Sequence, residues 1–209
     1  PIWTEPNLAD IHRRFNQNLD NSQGLDFMKK FKRQLAGAPD AVYQLAGELL
    51  YIHVLIVRGG IKGNRKRELV NSVLGWASQP VSIPPNLNAA LDHGIANVGV
   101  AFLTFRPFQL GFLIEAILAW KRLSPEQRTT YLNDGWAFKD FLFKVPISHA
   151  YAQREALLHI VHPDTFEPIV SSQNKRDFAK RFNYLAPIDS DDVDRQLYAI
   201  QQQYIQQHG

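Results

Sequence analysis

Clustered lysines and arginines are the residues of this sequence best suited to bind a ligand. The first cluster follows Gly59-Gly60 at the start of a predicted helix. It consists of Lys62, Arg65, Lys66 and Arg67. Several cations in a short exposed stretch can neutralise phosphates and release their counterions. We therefore predict that this cluster binds nucleic acid; the alternative is a solvated loop and helix start with no ligand.

A second basic cluster lies on a predicted helix near the C-terminus. Its members are Lys175, Arg176, Lys180 and Arg181. A third cluster around Phe31 is formed by Lys29, Lys30, Lys32 and Arg33. Each alone is typical of the polar side of an amphipathic helix, and only convergence on one surface would make a nucleic-acid footprint. We count the second cluster with the first as predicted nucleic-acid-binding residues.

The first cluster lacks the spacing of a nucleotide-binding P-loop. That motif needs a second glycine five residues after the first, followed by lysine and then serine or threonine. Here the residue five after Gly59 is Asn64, followed by Arg65 and Lys66. Nucleotide hydrolysis by this chain alone is therefore not expected, and we predict no catalytic residue.

Histidines and carboxylates near residue 160 are potential metal ligands. They are Glu155, His159, His162 and Asp164. A zinc-protease pattern needs a glutamate directly after the first histidine, and this sequence has isoleucine there. Histidines close to the last carbonyls of a helix explain the pattern without a metal. We predict no metal site and keep a metal-dependent hydrolase as the enzymatic alternative.

A carboxylate within an apolar helix pattern is the other candidate for acid–base chemistry. Glu48 lies five residues before His53 in such a pattern. Burial can raise the pKa of a carboxyl group into the range useful for catalysis. Pairing with an arginine or capping a neighbouring helix is the more common role for such a residue.

Composition excludes several classes of protein. The 209 residues contain no cysteine, which excludes disulfides, thiolate metal sites and a cysteine nucleophile. Lysine and arginine exceed aspartate and glutamate by 23 to 20, too small an excess to indicate nucleic-acid binding by itself. The longest apolar run, 110–120, contains Glu115 and is too short to span a bilayer. Since the N-terminus also lacks a signal-peptide pattern, we expect a cytoplasmic protein without membrane contact.

Hydrophobic periodicity predicts helices throughout the chain. We expect a single irregular all-α domain of about ten helices over residues 1–209. The one exception is the segment 98–105, whose residues favour a short strand or extended chain. Ser124, Pro125 and Gln127 predict a capping box at the start of a helix. Residues 189–209 predict a helix that leads toward a missing downstream domain, so the chain is interpreted as a fragment of a larger protein. The predicted helices span 6–19, 27–37, 39–57, 64–77, 86–91, 107–123, 125 onward, 136–143, 149–161, 174–185 and 191–207.

Three segments together resemble a known family. They are QLAGELLY at 44–51, GIANVG at 94–99 leading into TFRPF at 104–108 and WAFK at 136–139, and REALLHIVHPDTFEPIVSS at 154–172 followed by Lys175-Arg176. In that order they are similar to the helical region ahead of the motor in McrB-like AAA+ proteins of prokaryotic restriction and phage defence. The resemblance extends from about Leu35 to Tyr204.

The resemblance implies a function only for the larger protein. Such proteins use a GTP- or ATP-driven motor, with magnesium, to direct a McrC-like nuclease subunit against modified or foreign DNA. Their nucleotide and nuclease motifs have no counterpart in this chain, so no cofactor is expected here. The resemblance implies a non-catalytic module that binds DNA or relays target recognition to the motor in cis. The alternative is a scaffold that binds a partner or phage protein without contacting nucleic acid.

Overall fold

The computed structural model describes residues 1–20 and 22–208. It is 64% helical, and ten of its twelve α-helices have seven or more residues, which confirms the predicted all-α fold. The helices are α1 (Glu5–Ile11), α2 (Phe27–Gln34), α3 (Asp40–Leu55), α4 (Gly63–Leu74), α5 (Pro85–Ala90), α6 (Val100–Thr104), α7 (Arg106–Lys121), α8 (Pro125–Asn133), α9 (Gly135–Lys144), α10 (Tyr151–Val161), α11 (Ser172–Phe182) and α12 (Val193–His208). That residues 1–209 form one domain stays a prediction, and Asn21 and Gly209 lie outside the described residues.

The largest apolar core lies where α1, α3, α4 and α7 pack together. α3 is central to it and buries residues on more than one face, including Val42, Leu45 and Leu50. α3 and α4 approach closely at Gly47, where a Cβ would lie 2.4 Å from Leu74 Cδ2. The lack of a side chain at Gly47 therefore allows the two helices to pack.

α7 connects the largest core to a second apolar cluster. Leu110 and Leu113 face the first core, whereas Phe112 and Ala116 face the second, which α9 and α10 complete. A third, smaller cluster is formed by Ile56, Val57, Ala96, Phe102, Ala156 and Val170. Within the described part of the chain, α11 and α12 contribute no residue to these three clusters.

The first predicted helix is shorter than expected and changes its winding. α1 ends at Ile11 and continues as a π-helical turn, His12–Asn16, hereafter the π-turn. In it the Gln17 N–H donates to the His12 carbonyl at 3.1 Å, the five-residue spacing of a π-helix. Phe15 is buried in the core while the neighbouring Asn16 side chain donates to the Gly111 carbonyl of α7 at 3.0 Å.

The prediction for residues 98–105 is wrong, because this segment contains the short helix α6. Phe102 is buried, and its ring stacks on His53 with the ring centroids 4.5 Å apart. The Thr104 hydroxyl donates to the Val100 carbonyl at 3.1 Å. Branched residues lower helix propensity only slightly, so the local bond of Thr104 and the tertiary contact of Phe102 outweigh it.

The predicted capping box is confirmed at the start of α8. The Gln127 N–H donates to Ser124 Oγ at 3.2 Å, and the Ser124 N–H donates to Gln127 Oε1 at 2.9 Å. Pro125 occupies the first helical position, where no intrahelical N–H is needed.

The predicted C-terminal helix corresponds to α12, and the part of that prediction at Gly209 lies outside the described residues. Across residues 1–20 and 22–208, every helix is too short or too polar to cross a membrane.

Candidate nucleic-acid interface

The first basic cluster lies on a loop of defined shape between α3 and α4. Gly59 and Gly60 have φ values of +77° and +73°, a region that residues with a Cβ rarely adopt. Two residues before Gly59, Val57 forms an isolated parallel bridge with Ala96. Gly94 lies so close that a Cβ there would be 2.2 Å from the Val57 carbonyl oxygen. The loop is therefore held against residues 94–96 by backbone contacts.

Lys66 is buried beneath this loop, with 1% of its surface exposed. Its Nζ donates to the Val57 carbonyl at 2.6 Å and also to the His93 carbonyl. Burial lowers the pKa of Lys66 below its ordinary value, and Asp92 opposes this shift. This corrects the sequence prediction for Lys66, because its ammonium group is engaged inside the protein and cannot reach a phosphate.

The remaining predicted residues of the first cluster stay near the surface. Arg67 donates through Nη1 and Nη2 to the Asp92 carboxylate, at 2.7 and 2.6 Å, and through Nε to Asn88 at 2.6 Å. Arg65 is exposed and pairs with Glu68 one turn along the helix. Lys62 is exposed at the helix start.

Arg58 is a basic residue of this surface that the sequence analysis missed. It is exposed directly before Gly59 and lines the same hollow as Lys62, whose volume is about 620 Å³. Its position is a signal in the sequence, because Arg58 directly precedes the two glycines that the first basic cluster follows. We call Arg58, Lys62 and Arg65 the loop cations.

The start of α4 adds partial positive charge to this surface. Lys62 is its N-cap residue and makes no side-chain capping bond, so the first N–H groups of the helix are not covered by a cap. The aligned peptide dipoles of a helix also favour an anion at this end. The loop cations and the helix start together can bind phosphate oxygens.

The second basic cluster also contains one buried lysine. Lys175 is 2% exposed, and its Nζ contacts Glu155 Oε2 and Asp194 Oδ1, each at 2.5 Å. Asp194 in turn accepts from Lys139 Nζ at 2.7 Å. We call Lys139, Glu155, Lys175 and Asp194 the ionic network. Lys175 is likewise corrected, because its charge is bound inside the protein.

Opposing effects set the pKa values within the ionic network. Burial alone would lower the pKa of Lys175, but the carboxylates of Glu155 and Asp194 outweigh it and raise that pKa above its ordinary value. For Asp194, burial acts to raise the pKa, and the attraction of Lys175 and Lys139 outweighs this and lowers it. Both groups are therefore charged at neutral pH.

The helical period could have identified both buried lysines. Lys66 precedes Leu69, Val70 and Val73 by three, four and seven residues. Lys175 has the same spacing to Phe178, Ala179 and Phe182. Residues at these spacings share one helix face, so each lysine belongs to an apolar stripe rather than to the polar side.

The other members of the second cluster, Arg176, Lys180 and Arg181, are exposed on α11. α11 begins just after Val170, which shares the third apolar cluster with Val57 and Ile61 of the α3–α4 loop. In the third basic cluster, Arg33 pairs with Asp20 and Lys29 with Asp26.

The candidate metal ligands make hydrogen bonds within the protein. His159 Nδ1 lies 2.7 Å from the Phe166 carbonyl oxygen, and His162 Nε2 lies 2.8 Å from that of Tyr131. Because a carbonyl only accepts, each of these ring nitrogens must carry a hydrogen and cannot ligate a metal in this arrangement. Glu155 belongs to the ionic network. Among the described residues, no group of three potential ligands is close enough to hold a metal ion.

The candidate acid–base pair is separated in the structure. Glu48 accepts from Trp3 Nε1 at 2.5 Å and from Gln44 Nε2 at 3.0 Å. His53 is fully buried, its Nδ1 lies 3.1 Å from Gln153 Oε1, and burial lowers its pKa to about 3. Glu48 and His53 make no hydrogen bond to each other. Glu48 instead binds Trp3 of the N-terminal segment, and His53 binds Gln153 of α10, so each connects another segment to α3.

Comparisons of the chain with family models, with curated proteins and with solved structures found no match. The resemblance to McrB-like proteins therefore stays a prediction that rests on the residues quoted for it.

Proposed function

We propose that this chain is a non-catalytic helical module of a cytoplasmic McrB-like restriction or phage-defence AAA+ protein, and that it binds the phosphate backbone of DNA. In this proposal the GTP or ATP, the magnesium and the McrC-like nuclease subunit belong to the rest of that assembly. The resemblance supports the family, and the α3–α4 loop supports the contact with DNA.

The observation that carries the DNA contact is the arrangement of the loop cations around the uncapped start of α4. Arg58, Lys62 and Arg65 are exposed, whereas the buried Lys66 ties the loop to Val57 and His93. A rigid loop loses little conformational freedom when it binds, so its cations can contact phosphates at low entropic cost. Contacts of this kind carry no sequence information, which fits a module that positions DNA.

Fluorescence anisotropy with a labelled DNA duplex tests this proposal. The triple variant Arg58→Gln/Lys62→Gln/Arg65→Gln is expected to weaken binding at least tenfold at about 0.1 M salt, because each lost phosphate contact removes a counterion-release contribution. A matched control is Lys32→Gln/Arg122→Gln/Lys144→Gln, which removes the same charge from exposed positions elsewhere. Equal weakening by both triples would refute a localised interface, and absent binding would refute the DNA contact altogether.

A protein-interaction scaffold is the second candidate, and an apolar hollow between α11 and α12 favours it. The hollow has a volume of about 370 Å³ and is lined by Phe178, Tyr184 and Tyr204 among others. Tyr184 and Tyr204 are 73% and 57% exposed, which is unusual for large aromatic residues. Binding to a partner that survives high salt and is lost in Phe178→Ser/Tyr204→Ser, without any DNA binding, would favour this function.

A further inference from the structure

A cleft between the π-turn and α7 has the form of a small-molecule site. Its volume is about 250 Å³. Its apolar walls include Phe15, Leu19, Pro107, Phe108, Phe112 and Ile147. Aromatic walls of this kind bury flat or aliphatic groups and, through their faces, attract cations.

Glu115 is the one residue with a formal charge among those that line this cleft. Its Oε1 accepts from His12 Nε2 at 2.6 Å and from Asn16 Nδ2 at 3.3 Å. Its Oε2 makes no hydrogen bond to any residue in the described ranges, and the side chain is 38% exposed. The carboxylate is thus held through one oxygen, while the other can accept from a ligand.

The π-turn fixes the orientation of this carboxylate. It directs the Asn16 side chain to the Gly111 carbonyl, and because that carbonyl only accepts, the amide nitrogen must face it. From this position the same nitrogen reaches Glu115. π-helical turns are rare and frequently occur at functional sites, since they re-aim side chains.

The far end of the cleft has the opposite electrostatic character. A second hollow of about 260 Å³ shares Phe15, Leu19 and Phe108 with the first, and Lys30 lines it. Asp20 also lines this hollow but is paired with Arg33. A bound cation is therefore attracted to the Glu115 end and repelled from the Lys30 end.

We propose that the cleft binds an organic cation, namely an amidinium or guanidinium group on a flat apolar stem. The cationic group donates to Glu115 Oε2, and the stem packs against Phe108 and Phe112. Planar N–H donors match a carboxylate better than a single ammonium does, whereas a neutral or anionic ligand gains nothing from Glu115. The inference is independent of the proposed DNA contact, because none of the loop cations lines this cleft.

Titration with three ligands of one shape tests the charge requirement. Benzamidine, benzamide and benzoate are added to the ¹⁵N-labelled chain, and the amide signals of Gly111, Ser148 and the Asn16 side chain are followed by NMR. Benzamidine is expected to bind with a Kd on the order of 1 mM, benzamide at least tenfold more weakly, and benzoate not at all. Equal binding of benzamide, or no shift with benzamidine, would overturn the proposal.

Two variants test the location. Glu115→Gln keeps the size of the side chain and is expected to weaken the binding of benzamidine at least tenfold. Glu126→Gln, on α8 outside the cleft, is the control and is expected to leave that binding unchanged. Gly111→Leu is a steric variant: its Cβ would lie 3.6 Å from Asn16 Nδ2, an ordinary contact, and the rest of the side chain would fill the cleft. Unchanged binding in either cleft variant would overturn the proposal, provided that circular dichroism shows the variant folded.

A last titration distinguishes two natural ligands that could carry the cationic group, namely an arginine of a partner protein and a small molecule. An acetylated arginine tripeptide presents the guanidinium as a polypeptide would, and benzamidine presents the amidinium as a small molecule. Tighter binding of the peptide supports an arginine of a partner as the natural ligand, and tighter binding of benzamidine supports a small molecule.

Discussion

Lys66 and Lys175 are the two most deeply buried lysines in the described part of the chain, and they occupy chemically different surroundings. Lys66 donates to the neutral carbonyls of Val57 and His93, while Lys175 donates to the carboxylates of Glu155 and Asp194. Their pKa values shift in opposite directions as a result: burial lowers that of Lys66, and the carboxylates raise that of Lys175 against the effect of burial.

The difference shows how two regions of the molecule, the α3–α4 loop and the α11–α12 pair, are attached to the rest of the structure. The α3–α4 loop is attached through apolar residues, since Val57 and Ile61 belong to the third cluster. Lys66 adds two hydrogen bonds to backbone carbonyls beneath the loop.

α11 and α12 contribute nothing to the three apolar clusters. The ionic network attaches this helix pair to α9 and α10, beside the contacts of Tyr198 and Arg195 with Trp136 of α9. A buried ion pair adds little net stability over an apolar contact, but removing one partner is costly because the other charge is left unpaired.

The largest effect is expected from Lys175→Met, which keeps the aliphatic stem but removes the cation between the buried carboxylates of Glu155 and Asp194, so that Lys139 alone cannot balance the two charges. We expect a loss of about 3–5 kcal/mol in the free energy of unfolding. Urea denaturation measures it, with Lys180→Met on the exposed side of α11 as the control. A loss no larger than that of the control would show that the network does not hold α11 and α12.

A smaller effect is expected from Lys66→Met. Two carbonyls lose a donor, but no charge is left buried, so we expect a loss of about 1–3 kcal/mol by the same denaturation experiment. If Lys66→Met cost as much as Lys175→Met, the distinction between neutral and ionic surroundings would be wrong.

Lys66 and Lys175 are expected to change the free energy of unfolding in opposite directions as pH rises in the alkaline range. The folded pKa of Lys66 is lowered, so its contribution to stability rises with pH between the folded value and the unfolded value near 10.4. The folded pKa of Lys175 is raised, so its contribution is fully present below about 10.4 and is lost as pH rises through the folded value.

The free energy of unfolding is measured from pH 8 upward for the wild type, Lys66→Met and Lys175→Met. The difference between the wild type and each variant gives the contribution of that lysine at each pH. The slope of each contribution is at most ~1.4 kcal/mol per pH unit. Slopes of the same sign for the two lysines would contradict the assigned surroundings.

The smallest effect is expected from Arg67→Gln. Its guanidinium is occupied by Asp92 and Asn88, so this variant should weaken DNA binding less than Lys62→Gln does in the anisotropy assay. A stronger effect of Arg67→Gln would mean that the pair with Asp92 opens and that Arg67 belongs to the interface.

Local sequence signals predicted most of the fold and little of the site. The capping box at Ser124 and the apolar periods depend on neighbours in the chain, and these elements are confirmed. The burial of Lys66 depends on His93, 27 residues away, and that of Lys175 on Asp194 beyond a turn, so these partners are determined by tertiary packing. The helix at 100–104 was missed for the same reason, since Phe102 packs on His53 from another helix.

The salt dependence of duplex DNA binding tests the central claim most directly, namely that the loop cations contact phosphates. The logarithm of the binding constant is plotted against the logarithm of salt concentration for the wild type and for Arg58→Gln/Lys62→Gln/Arg65→Gln. We predict that the slope of the variant is smaller in magnitude by about 2.7, the value for three lost phosphate contacts. A slope that is unchanged in the triple variant would contradict the claim.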